Sequence, residues 1–190
     1  MARDLGTGGS RVHASAEAVI GFWLVETPAE KRFTADPALD AAIADRFGAL
    51  RAAAFAHHAA GWRAAPRPLL AAIILVDQFS RNIFRDDARA YEGDPLARAL
   101  TREALAKGWS AAMTMEERRF LHMPLMHSEA MADQADALRL FAQDPVSADF
   151  SRAHAAQIAR FGRFPQRNPL LGRPSSVAEQ AFLATPGSRF

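Results

Sequence analysis

The sequence predicts an all-α protein of about eight helices packed as antiparallel hairpins. Three observations predict it. Hydrophobic residues make up 49% of the 190 residues, and many are alanine, a strong helix former that lets helices pack closely. Strand-type runs of Val, Ile, Thr and Tyr are nearly absent, and Tyr occurs once, at Tyr91. Apolar residues recur at spacings of three to five between cap signals and proline or glycine stops, the period of an amphipathic helix.

In chain order, residues 1–14 are Gly-rich and polar, and are expected to be loose or disordered. Residues 15–190 read as one helical domain. Ser15 is placed to cap a first helix carrying Val19, Ile20, Phe22, Trp23 and Leu24, ended by Thr27-Pro28. Asp36-Pro37 reads as N-cap plus first-turn proline. It opens a long helix with Leu39, Ile43, Phe47, Leu50 and Phe55 on one face, closed at Gly61. Residues 62–68 read as a linker.

Leu69 to Phe79 is apolar nearly all round, the pattern of a buried helix, and Ser80 to Arg89 reads as the turn after it. Asp94-Pro95 repeats the cap-plus-proline device, and Gly108 is placed for a C-terminal cap. Thr114 with Glu117, and Ser176 with Glu179, form two capping-box patterns. Pro124 predicts a kink or an early end. Ser128 is placed to cap a helix with Met131, Ala135, Leu138 and Phe141 inward, stopped by Asp144-Pro145. Ser147 opens another, with Phe150, His154, Ile158 and Phe161 inward, stopped by Gly162.

Composition narrows the function classes. The net charge is +2, too small for an electrostatic case for nucleic acid. There is no cysteine, which excludes disulfides, thiolate metal sites and a cysteine nucleophile. The longest apolar run, Leu69 to Val76, falls far short of the roughly 20 residues that span a bilayer. The chain is expected to be soluble and cytoplasmic, with no membrane partner. No motif calls for a cofactor, and oligomeric state is not set by the sequence.

Three polar clusters stand out. The first is Asp77-Gln78-Phe79-Ser80-Arg81-Asn82, directly after the most apolar run. The second is its near-echo, Arg163-Phe164-Pro165-Gln166-Arg167-Asn168. The third is His127-Ser128-Glu129. Asp77 near a helix C-terminus is disfavoured by burial and by the dipole, so it needs an arginine partner. Arginine forks bind carboxylates and phosphates bidentately. If the clusters share a groove, a surplus of Arg over acids there suits an anion. His122 and His127 are five apart with Pro124 between them, which is not the spacing of a helical zinc site, so no metal is expected.

With Phe22-Trp23, the run from Leu75 to Asn82, His127-Ser128-Glu129, and the run from Arg160 to Asn168 continuing to Leu171-Gly172-Arg173, the chain resembles a family of uncharacterised bacterial proteins, domain of unknown function 924. Phe182-Leu183 and Pro186-Gly187-Ser188 fit it too. The resemblance covers roughly residues 16–190 and implies a tetratricopeptide-like right-handed helical stack. It implies no activity. Ser80 stands where the pattern has proline, and Ala130 where it has an acid.

Two functional readings follow. In the first, the groove binds a peptide carboxylate or a small anion through Asp77, Gln78, Arg81, Asn82, His127, Glu129, Arg163, Arg167 and Asn168. In the second, the chain is a metal-independent hydrolase of a small anionic substrate, with His127 as acid or base and Asp77 or Glu129 orienting it. Whether the chain is an enzyme is left open by the sequence. So is a third reading, in which the clusters are a structural network.

Overall fold

The computed structural model describes residues 6–186 and 188, with side chains described from residue 11 onward. Among these residues there are eight helices and no strand. Helix α1, Gly6–Ile20, is continued by a wide π-type turn, Gly21–Glu26. Helix α2 is Pro37–Ala56. Helix α3 runs from Pro66–Ile73 through a second π-type turn, Ile74–Gln78, into Phe79–Ile83. Then come α4, Asp94–Ala106, α5, Met115–Met126, α6, Met131–Phe141, α7, Ala148–Phe161, and α8, Val177–Leu183. The chain forms two compact units. One holds the described residues of Met1–Arg85 and Arg89–Pro124, the other those of Asp86–Ala88 and Leu125–Phe190.

In the first unit the chain packs around α3, which is in contact with α1, α2 and α4. Every residue from Leu69 to Val76, and Phe79, is fully buried, each large aliphatic side chain removed from water being worth roughly 1.5–3 kcal/mol. Phe79 centres an aromatic cluster: its ring lies 5.2 Å from Phe47, 5.3 Å from Trp23 and 6.0 Å from Phe22.

The wide turn in α3 has local causes. The Phe79 amide donates to the Ile74 carbonyl, five residues back. Ser80 Oγ donates to the Val76 carbonyl at 2.8 Å, and Arg81 Nη1 to the Asp77 carbonyl at 2.8 Å. Side-chain donors thus take carbonyls that the regular ladder would use. Gly93 sits against the same stretch, and a Cβ there would lie 2.2 Å from the Val76 oxygen.

Several expectations are corrected. Ser15 lies inside α1 and is no cap, because the helix begins at Gly6; residues 1–5 of the segment expected to be loose lie outside the described residues. Helix α2 stops at Ala56, before Gly61. Helix α3 begins at Pro66 and continues to Ile83, so Ser80, Arg81 and Asn82 are helical and Asp77 is mid-helix. The N-cap of α4 is Gly93, not Asp94. Pro124 is carried within α5.

In the second unit α6 and α7 pack as a hairpin, and Gly162, at φ +70°, turns the chain into the loop that leads to α8. Ala130, not Ser128, precedes the first turn of α6. Met131 and Leu138 are exposed, as is Phe150 on α7, whereas Asp133, Gln134 and Ala137 are buried with Phe141. The reason is polar: Gln134 Nε2 donates to the Met126 and Ser128 carbonyls at 2.8 and 2.6 Å, and Ser128 Oγ donates to Asp133 at 2.6 Å. A face whose polar groups are satisfied can be buried, and it displaced the apolar face read from the sequence.

Candidate functional site

The residues singled out from the sequence fall into two sets. Asp77, Gln78, Arg81 and Asn82 belong to the first unit; His127, Glu129, Arg163, Arg167 and Asn168 belong to the second.

In the first unit, Asp77 is fully buried and paired. Its Oδ1 lies 2.9 Å from Arg81 Nη1, one turn along α3, and Gln78 Nε2 donates to Oδ2. Arg81 Nη2 reaches Asp94 at 3.0 and 3.2 Å, and its guanidinium lies over the Tyr91 ring. Burial pushes the Arg81 pKa down, but the charges of Asp77 and Asp94 outweigh it and hold the group above its ordinary value. Asn82 Nδ2 donates to Asp40 at 2.8 Å, and Arg85 grips the same carboxylate at 2.6 and 2.8 Å. Burial pushes Asp40 up; the hydrogen bonds from Arg85 and Asn82 bring it below its usual value. Arg51, lying over the Phe55 and Phe84 rings, donates to Ser80 and Glu92.

Among these residues the arginines are Arg51, Arg81 and Arg85, and the acids Asp40, Asp77, Glu92 and Asp94. The acids that join this cluster from α2 and from residues 92–94 remove the expected surplus of arginine. What the arrangement does chemically is tie α2, α3 and the start of α4 together.

The second unit is built on the loop 163–175. Glu129 takes Arg173 bidentately at 2.7 and 2.9 Å and the Phe164 amide at 2.8 Å. Burial raises its pKa, but the Arg173 and Phe164 hydrogen bonds and the Arg173 and Arg167 charges outweigh that and leave it below the usual carboxylate range. Both Glu129 oxygens are thus committed to the loop. Arg167 Nη2 donates to the His127 carbonyl at 2.9 Å, and its guanidinium lies 4.6 Å from the Phe164 centroid. The His127 ring lies 6.1 Å from that of His154, which meets the buried Phe164 edge-on. Asn168 Nδ2 donates to Ser175 Oγ at 3.0 Å.

Arg163 leaves this cluster for α8. Its Nε and Nη2 hold the two Glu179 oxygens at 2.7 and 2.9 Å, and Nη2 also reaches the Pro174 carbonyl. Glu179 closes the predicted capping box with Ser176 at 2.7 and 3.2 Å. The Arg163 hydrogen bonds first, then that of the Ser176 amide, pull the Glu179 carboxyl down to about 2.

Beside this pair opens a hollow of about 480 Å³ lined by Arg160, Phe161, Arg163, Ser176, Ala178 and Glu179. Arg160, in the last turn of α7, lies over the Phe161 and Phe182 rings at 4.7 and 5.7 Å. Its guanidinium makes no hydrogen bond or ion pair with any described residue. Arg160 and Glu179 were not singled out as site residues from the sequence. The available signal was the tight Arg160-Phe161-Gly162-Arg163 spacing at a helix end, where a stacked arginine and a paired one are brought side by side.

Among the described residues no group of three or more His, Asp or Glu side chains is placed to hold a metal. His122, considered with His127, is buried in the first unit with Nε2 3.0 Å from Ser110 Oγ. No helix among the described residues is long and apolar enough to cross a membrane.

Among curated proteins, no match was found. A solved protein of unknown function from Agrobacterium tumefaciens is similar at 34% identity and a TM-score of 0.86, the alignment covering 91% of this chain and 98% of that one. The model of a family of bacterial proteins of unknown function, DUF924, matches residues 19–187. With its matched span running from the first helix past the last, the chain belongs to that family.

Proposed function

We propose that the protein is a binding module for a small anion or a peptide carboxylate, and that the ligand enters the second unit at Arg160 and Arg163. The observation that carries this reading is the Arg160 guanidinium, resting against the Phe161 and Phe182 rings with its hydrogen-bonding edges uncommitted at the mouth of the hollow. Stacking on rings fixes a guanidinium's plane while leaving its in-plane donors open, so little entropy is lost when an anion docks. Arg163 is positioned by Glu179, and the loop behind it is braced by Asn168, Arg167 and the Arg173–Glu129 pair. In this reading Glu129 and His127 support the loop, and Asp77, Gln78, Arg81 and Asn82 form the structural clamp of the first unit.

The test is calorimetric titration with acetate and with inorganic phosphate, on the wild type and on Arg160→Gln. A charge-assisted fork is worth about 1.5–3 kcal/mol, so the variant is expected to lose about tenfold or more in affinity while keeping its circular dichroism and melting temperature. Equal binding by wild type and variant would sink the reading.

A further inference from the structure

Resting on that reading of the hollow, we infer that its ligand is the C-terminal carboxylate of a peptide whose last residue is apolar. Charge decides the first part. Arg160 and Arg163 bring two positive charges and Glu179 one negative, so the site carries a single net positive charge and matches a monoanion. A phosphate dianion would meet the Glu179 carboxylate, which its Arg163 bonds keep ionised far below neutrality; like charges in one site oppose each other.

Geometry decides the second part. The Arg160 fork is planar and wholly open, the shape that takes two carboxylate oxygens side by side. Arg163 has committed Nε and Nη2 to Glu179, which leaves Nη1 for a ligand. Ser176 Oγ accepts from the Glu179 amide and gives its own proton to no described residue. Two guanidinium groups and a hydroxyl therefore supply donors, and the remaining wall is Phe161 and Ala178. That wall suits an apolar side chain next to the carboxylate.

Form decides the third part. The hollow is open to solvent, and Arg160, Ser176 and Ala178 on its rim are exposed. An open hollow cannot bury most of a small free acid, which tight small-molecule sites do. The end of a longer chain loses less, because its preceding residues continue across the surface.

The experiment is fluorescence polarisation with a labelled alanine-based hexapeptide ending in a free Leu carboxylate. It is compared with the same peptide amidated, with one ending in Glu, with N-acetylleucine and with inorganic phosphate as competitors. The free Leu acid is expected to bind at least tenfold more tightly than the amide and the Glu-ended peptide, and to outcompete phosphate. Arg160→Gln should abolish binding, and Arg160→Lys, which keeps the charge but not the fork, should lose most of it. Stronger binding of phosphate than of peptide overturns the inference while leaving an anion site, and equal binding of acid and amide overturns both. N-acetylleucine binding as tightly as the peptide overturns the chain-end assignment. If neither peptide nor phosphate binds, the anion site itself falls.

Discussion

His122 is 4% exposed, and its imidazole is pushed down to about 4, first by burial and then by the Arg118 charge. Unfolded, the same ring takes a proton near its ordinary 6.5. Between those values the unfolded chain binds a proton that the folded chain refuses, so stability falls as the pH drops from 6.5 and levels off below about 4. The loss is on the order of 3 kcal/mol. The paired carboxylates, such as Asp40 and Glu129, have folded values below their unfolded ones and add their own losses only beneath about 4.5. Urea midpoints measured at pH 7.0 and pH 5.0 should therefore differ in the wild type and lie close together in His122→Gln. A wild-type midpoint unchanged between those two pH values would refute this account. Asp77 meets burial differently. It is fully buried but has Arg81 and Gln78 against it, and a buried charge with partners is tolerable where a lone one is not.

At the scale of the element, Gly93 gives the sharpest expectation. A methyl group there would sit 2.2 Å from the Val76 oxygen, and backbone cannot yield as a flexible side chain can. Gly93→Ala must shift α4 off α3, and overpacking of this kind costs about 1–3 kcal/mol. A drop in the thermal midpoint of roughly 2–12 °C is expected for such a change, and an unaltered melt would show that the approach is looser than it looks. The elements also show what could be read beforehand. The capping boxes at Thr114 and Ser176 form as read, and Gly108 and Gly162 take the left-handed conformation. These are hydrogen bonds and φ values set within a few residues, so sequence carries them. The inward face of α6 could not be read, because Asp133 and Gln134 are buried by partners supplied from Ser128 and Met126. Beyond Asp77, the acids that meet Arg81, Asn82 and Arg85 are Asp94 and Asp40, which come from other helices. The spacing around Arg160 marks a helix end but not a site, since only the placement of α8 shows that a second ring lies beside its guanidinium.

At the scale of the whole molecule, the two units are held differently. The first has a continuous apolar interior in α3 and the aromatic cluster around Phe79. Among the described residues, the second buries Leu125, Met126, Ala137, Phe141, Ile158 and Phe164, and relies on ion pairs such as Arg173–Glu129 and Arg163–Glu179. Local opening is governed by how much apolar contact must be lost. Native-state hydrogen exchange is therefore expected to be slowest for amides in the middle of α3, and at least tenfold faster across α8 and the loop before it. Uniform protection along the chain would contradict this. The two capped ends of the molecule's polar story were thus legible as motifs, while the distribution of core between the units was not.

The widened turn of α3 has one more implication, for how this chain could be edited. Each residue advances an α-helix by about 100°, and a turn of this type holds about one residue more than the regular spiral. Removing one residue between Ile74 and Gln78 would let the segment close into ordinary helix. Because the wide turn already absorbs the extra residue, the segments on either side would keep their phase, with Phe79 still facing the aromatic cluster and Arg81 still facing Asp94. The spare residue can therefore be lost without disturbing the register of the apolar half or the polar half, and what goes with it is the widened turn itself, where Ser80 and Arg81 cap the Val76 and Asp77 carbonyls.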